Sequence, residues 1–201
     1  MIVGDPTVLA IESGIMEAYQ ELTFRALGFF VIHVRGRSFG NNEPDSTMLA
    51  RSMDEVESRI AKRGTHTAPF SALSDAGRIA NAFLNALFAD DQEQSYFGIP
   101  FSEFCELFHS GSKDCMWAPD GDEAFDDGSF VLQFDLNEHV RVIAFKRAEG
   151  HRHDPDTLRD VRLRADDFYR ILQQWHDAFD AEWAGLIRGR IRIPGIPGTH
   201  D

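Results

Sequence analysis

Cys105, His109 and Cys115 carry the spacing in this chain that most resembles a reactive site. On a helix, residues four apart share a face, so the Cys105 thiol and the His109 imidazole would point the same way, and Cys115 can fold back toward them. A tetrahedral zinc site would need a fourth ligand, from His139 or His151. The same Cys105–His109 pair is also a thiol beside a base, the beginning of a nucleophilic site, although no recognisable oxyanion device lies near it. Against both readings stands the setting: Phe101, Phe104 and Phe108 surround Cys105, and among aromatics a free thiol packs as a small hydrophobe. A small metal- or thiol-dependent enzyme using Cys105, His109 and Cys115 is therefore the alternative to a protein that needs no cofactor.

Two other groups of polar residues have a chemical reading. His151 and His153 flank Arg152 beside Asp154, which offers half a zinc site at most; a loop flanking a strand is the favoured reading. Asp120-Gly-Asp122-Glu123-Ala-Phe-Asp126-Asp127-Gly128 has the acid density of a calcium loop. It lacks the Asp-x-Asp-x-Asp-Gly register and the closing glutamate of an EF-hand. The other readings of this run are a solvated loop and a docking surface for a protein. Glycine-rich nucleotide loops, Gly-x-Ser-x-Gly and His-Glu-x-x-His are absent from the sequence.

Charge separates these readings further. The net charge is −13 over 201 residues. Between Ile79 and Val140 there are 13 acids and the single base Lys113, a local −12, while the remaining 20 acids and 19 bases nearly cancel. Such a field repels nucleic acid and anionic lipid and steers basic partners in, although the same charge reads equally as a solubilising surface. The partner expected is thus a protein, with no nucleic acid and no membrane, and Asp120, Asp122, Glu123, Asp126 and Asp127 are the partner-binding candidates. No apolar run reaches the roughly 20 residues of a membrane span. With 2 cysteines and no signal-like start, a reducing cytoplasm is the expected compartment.

The elements that must position these groups are legible from periodicity. Leu27–Arg35, turning at Gly36 into Arg37–Phe39, reads as a hairpin, and Phe130–Phe134 with Val140–Phe145, joined around Asn137–Glu138, as a second. Val8–Met16 is a strand or a short helix, and Leu158–Leu163 is a further strand. Ser52-Met-Asp-Glu55 has the form of a capping box opening a helix that stops at Gly64. Ser74–Asp75 opens a second helix, Ser102–His109 makes a short third, and Asp166 caps the longest, to about Leu186. Phe83, Leu87, Phe104, Phe134, Phe145, Phe168, Leu172, Trp175 and Phe179 are expected to share one core. The fold class predicted is α+β: an antiparallel-rich sheet built from hairpins, packed against several helices including a long C-terminal one. With no repeat or linker in sight, residues 1–201 read as a single domain.

Three patches of sequence resemble a known family. They are Gly4-Asp-Pro-Thr-Val-Leu-Ala-Ile-Glu-Ser13, then Gly28-Phe-Phe-Val-Ile-His-Val-Arg-Gly-Arg-Ser-Phe-Gly40 with Pro44–Ala50, and Ala165-Asp-Asp-Phe-Tyr169 with Trp183. These are similar to immunity protein family 42 of bacterial polymorphic-toxin systems, and the N-terminal third is the specific part. Phe39 stands where that family is expected to carry tyrosine, a change that removes a hydroxyl and keeps the packing. The resemblance implies a cytoplasmic antidote that binds a cognate protein toxin, uses no cofactor and has no catalytic residues. An acidic surface would suit a toxin with a basic groove, such as a nuclease.

Overall fold

The computed structural model describes residues 1–89, 93–108 and 114–191. Its first sheet is formed by β1 (Ile2–Asp5), β2 (Leu9–Ala18), β3 (Ala26–Val34), β4 (Arg37–Phe39) and β5 (Thr47–Met48). Their spatial order is β1-β2-β3-β4, with β5 also against β3. Next come α1 (Leu49–Ala61), α2 (Ala76–Phe88), a small ladder of β6 (Ser95–Tyr96) with β7 (Ile99–Pro100), and α3 (Phe101–Cys105). The second sheet comprises β8 (Met116–Ala118), β9 (Ser129–Leu136), β10 (His139–Ala148), β11 (Arg152–His153) and β12 (Arg159–Arg164). It is ordered β11-β10-β9-β8, with β12 also on β10, and α4 (Ala165–Ile191) completes the described chain. The named ladders are antiparallel, so the expected α+β class with hairpin-built sheets is the one that forms.

Three helix starts or ends differ from the sequence expectation. α1 begins at Leu49, ahead of the Ser52 capping box, and its N-cap Met48 offers no side-chain cap. Instead the Glu123 carboxylate accepts from the Met48 backbone N–H at 3.2 Å and from the Thr47 hydroxyl at 3.5 Å. A carboxylate distant in sequence thus sits at the positive end of the helix dipole, where no local spacing rule can find it. α3 stops at Cys105, and Leu107 and Phe108 continue as a tight turn whose amides reach back three residues, to Phe104 and Cys105. In α4 the helix has already begun at Ala165, so Asp166 lies in the first turn, bound to Arg63 rather than capping. The α2 cap is as expected: Asp75 accepts from the Arg78 N–H at 2.9 Å.

The second sheet is buried on both faces, which splits the hydrophobic interior in two. Val131, Val140 and Val142 face the first sheet, α1 and α4, where Phe168, Leu172, Trp175 and Phe179 join Phe30, Ile32 and Phe39. Phe130, Phe134 and Phe145 point the other way and pack with Phe83 of α2 and Phe104 of α3, against which the partly buried Leu87 rests. The nine expected core residues are therefore divided between two cores, because alternate residues of β9 and β10 serve opposite faces. In the first sheet, a Cβ at Gly28 would lie 1.9 Å from the Gly14 carbonyl oxygen, and one at Gly14 would meet the Phe29 ring at 2.4 Å. Glycine at both positions lets β2 and β3 close up while Phe29 lies across the gap.

A buried polar network fastens the first core. Arg59, fully buried, donates to the Met116 carbonyl at 2.8 Å and to Gln133 Oε1 at 3.3 Å, and its Nε lies 2.7 Å from Glu55. Gln133 donates to the Tyr169 hydroxyl at 2.9 Å, and that hydroxyl donates to Asp135 at 2.8 Å. Asp135 also accepts from the Gly64 and His66 amides, at 2.8 and 3.2 Å. Burial, and then the Asp135 charge, push the Tyr169 hydroxyl well above its ordinary 10.0. The folded protein keeps this proton where the unfolded chain has released it. The stability it contributes is complete below pH 10.0, falls as the pH rises past that value, and is lost once the raised folded value is passed. Urea midpoints are therefore expected to fall between about pH 9 and about pH 11, and to fall less in Tyr169→Phe.

Candidate protein-binding surface

The acidic run forms the loop between β8 and β9, which two apolar side chains pin in place. Ala124 and Phe125, in a single 3₁₀ turn (Glu123–Phe125), are buried, and the Phe125 ring meets Phe30 edge-on at 6.1 Å. The Ala124 carbonyl accepts from the Asn41 N–H at 2.8 Å. Gly40, at φ +114, fits under this turn where a Cβ would lie 2.8 Å from the Phe30 carbonyl oxygen. With its centre pinned inward, the loop exposes Glu123 and Asp126, while the Asp120, Asp122 and Asp127 side chains stay largely covered.

Those carboxylates are less free than the sequence implies. Asp120 pairs with Arg147 at 2.7 Å, Asp122 with Arg51 at 2.7 Å, and Asp127 with Lys146 at 2.5 Å. Asp122 also caps the 3₁₀ turn, accepting from the Ala124 N–H at 3.2 Å, and Asp127 accepts from the Ser129 N–H at 3.1 Å. Glu123 serves the start of α1, as described above. Asp126 is exposed, and its carboxylate makes no hydrogen bond or ion pair among the described residues. All three bases come from outside the Ile79–Val140 segment, so a charge count along the chain overstates the charge at the surface.

Two clefts flank this loop and share Arg51, Pro119, Asp120 and Asp122. One, of about 440 Å³, has an aromatic floor including Phe30, Phe88 and Trp117, with Glu55 and Asp114 at its rim. The other runs between Pro119–Glu123 and the β2–β3 connection, where Thr23 and Phe24 form the opposite wall.

The other candidates fall in different places. Cys115 is fully buried in the second core. Cys105 is half-buried beside the same core, and burial pushes its thiol up, opposite to what a nucleophilic thiolate requires. His109 lies outside the described residues. His151 stacks on Phe88 at 5.6 Å, whereas His153 binds Asn81 Oδ1 through Nδ1 at 2.8 Å, so the two imidazoles serve separate neighbours. Among the described residues, no three His, Cys, Asp or Glu side chains are grouped to hold a metal ion.

One arrangement was missed in the sequence. On the outer face of the first sheet, His33 Nε2 lies 2.7 Å from Glu12, and its Nδ1 lies 3.2 Å from the Ser38 hydroxyl. The β2–β3 register, pairing Glu12 with Val31, sets the acid diagonally beside His33, while the β3–β4 register puts Ser38 directly opposite it. The signal was available: all three residues fall in the family-like patches, and a hairpin read with its register would have brought them together.

Comparison with known proteins bears on the whole of this geometry. The model of the immunity protein 42 family matches residues 1–178. Among solved structures, the fold is similar to the crystal structure of CdiI from Burkholderia dolosa AUO158, with a TM-score of 0.50 and 14% identity. That likeness covers 87% of this chain and 97% of the other, and at such identity it speaks for the fold alone. No curated protein sequence matches. Among the described residues, no helix is long and apolar enough to cross a membrane. With the family model matching nearly the whole described chain, this protein belongs to the immunity protein 42 family.

Proposed function

We propose that the chain acts in the cytoplasm as the antidote to a cognate toxin, neutralising it by direct binding that covers a surface the toxin needs. The family match across residues 1–178 carries this reading. Occlusion requires complementary surface and neither cofactor nor activated nucleophile, which agrees with a raised Cys105 thiol. The loop bearing Asp120, Asp122, Glu123, Asp126 and Asp127 is proposed to face a basic surface of the toxin, of the kind a nuclease presents to phosphate.

The ion pairs divide these five residues by expected effect. Asp126→Asn removes a solvent-exposed charge. It is expected to slow association severalfold and flatten its salt dependence, with folding unchanged. Replacing all five by Asn or Gln is expected to slow association further, and also to destabilise the chain, because Asp122, Glu123 and Asp127 hold backbone amides. Stopped-flow association with purified toxin at low and high salt, beside urea unfolding, separates the two effects. Unchanged rates and unchanged salt dependence in both variants would remove the acidic loop from the interface.

A further inference from the structure

Seven large apolar side chains are exposed among the described residues; Ile2, Val8 and Leu73 lie apart from the β2–β3 hairpin, while three others gather on it. Met16, Leu22 and Phe24, exposed to 60%, 63% and 50%, all belong to the β2–β3 hairpin and its connection. This connection is held firmly. Trp183 of α4 donates its indole N–H to the Tyr19 and Arg25 carbonyls, at 3.0 and 2.9 Å. Arg25 in turn lies over the Trp183 ring at 5.7 Å and reaches Asp180 at 3.4 Å. Leu186, three residues beyond Trp183 and thus on the same side of α4, is exposed to 42%. Phe24 also forms one wall of the cleft whose other wall carries Asp120, Asp122 and Glu123, with Arg51 on Asp122 and Arg147 reaching Asp120 from β10.

We infer that Leu22 and Phe24 are the apolar anchor of the toxin interface, taking an apolar toxin side chain flanked by Lys or Arg that lies along the acidic cleft wall. This rests on the immunity reading and locates its centre. Charge complementarity selects the occupant: with Asp122 paired to Arg51 and Asp120 to Arg147, Glu123 leaves the wall acidic, which disfavours an acidic or lipid-headgroup partner. A second copy of this chain would bring the same excess of carboxylates to that wall. The cleft supplies direction and the two side chains supply dwell time, since truncating a desolvated aromatic acts mainly on dissociation. Because α4 clamps the loop beforehand, little ordering is left for the moment of binding.

The test uses the full chain, purified cognate toxin and surface plasmon resonance. Leu22→Ala/Phe24→Ala is expected to dissociate about ten- to a hundredfold faster, with association rate and salt dependence nearly unchanged. Its melting temperature should match the parent, because both side chains already face water. Hydrogen exchange on the unaltered protein supplies an independent reading: amides of residues 20–25 are expected to gain protection when toxin binds. Parent-like dissociation of the double variant, or no added protection there, would overturn the anchor while leaving the immunity reading intact. A parent chain that fails to bind the toxin at all would overturn the immunity reading itself. Sedimentation of the chain alone is expected to give a species whose mass the double variant shares. A dimer abolished by Leu22→Ala/Phe24→Ala would assign the patch to a second copy instead.

Discussion

Asp135→Ala is expected to lower the unfolding free energy by about 3–5 kcal/mol, more than most single substitutions in a core of this kind. Asp135 lies on β9 with its side chain turned toward α4, and one carboxylate there satisfies the Tyr169 hydroxyl and the amides of Gly64 and His66. Alanine leaves these donors buried without an acceptor, at about 1–3 kcal/mol each where no water replaces it. The loss also spreads, because Gln133 bonds the same tyrosine and is held by Arg59. Tyr169→Phe, which removes one donor and leaves Asp135 its backbone partners, is expected to cost only about 1–2 kcal/mol. Urea unfolding of both variants and of the double variant measures the coupling. A loss below about 1 kcal/mol for Asp135→Ala would mean that the network is solvated and fastens nothing.

The hairpins were readable because period-two alternation and β-branched runs are local signals. The β3–β4 and β9–β10 pairs form where Phe29–Val34 and Phe130–Phe134 foretell strands. Two-faced burial of the second sheet was not readable. Phe130-Val-Leu-Gln-Phe134 shows a run of apolar residues, and only the register against β10 reveals that Phe130, Leu132 and Phe134 serve one core and Val131 the other. Helix starts failed where the cap came from afar: Ser52 has the right spacing, yet Glu123 decides where α1 begins. The acidic loop shows the same limit in electrostatic form. Its carboxylates were countable, but Arg51, Lys146 and Arg147, which neutralise three of them, are brought by α1 and β10. Ser38, His33 and Glu12 were each visible, while their meeting depended on pairing across three strands. Leu22 and Phe24 carry no sequence signal, because two apolar residues in a loop form no period and their exposure is a property of the fold.

Titration of toxin activity with the purified chain separates binding from chemistry most directly. An antidote that works by occlusion is consumed one for one. With toxin held at about 100 times the dissociation constant, residual activity should fall linearly to a break at equimolar chain, leaving about a tenth of the toxin free there. The break should not move with longer incubation, and calorimetry should return the same ratio. An enzyme acting on the toxin would behave differently, silencing it at a small fraction of the equimolar amount, and progressively with time. The result predicted is a time-independent break at equivalence. Progressive loss of activity at substoichiometric chain, or full toxin activity in the presence of excess chain, would contradict neutralisation by binding.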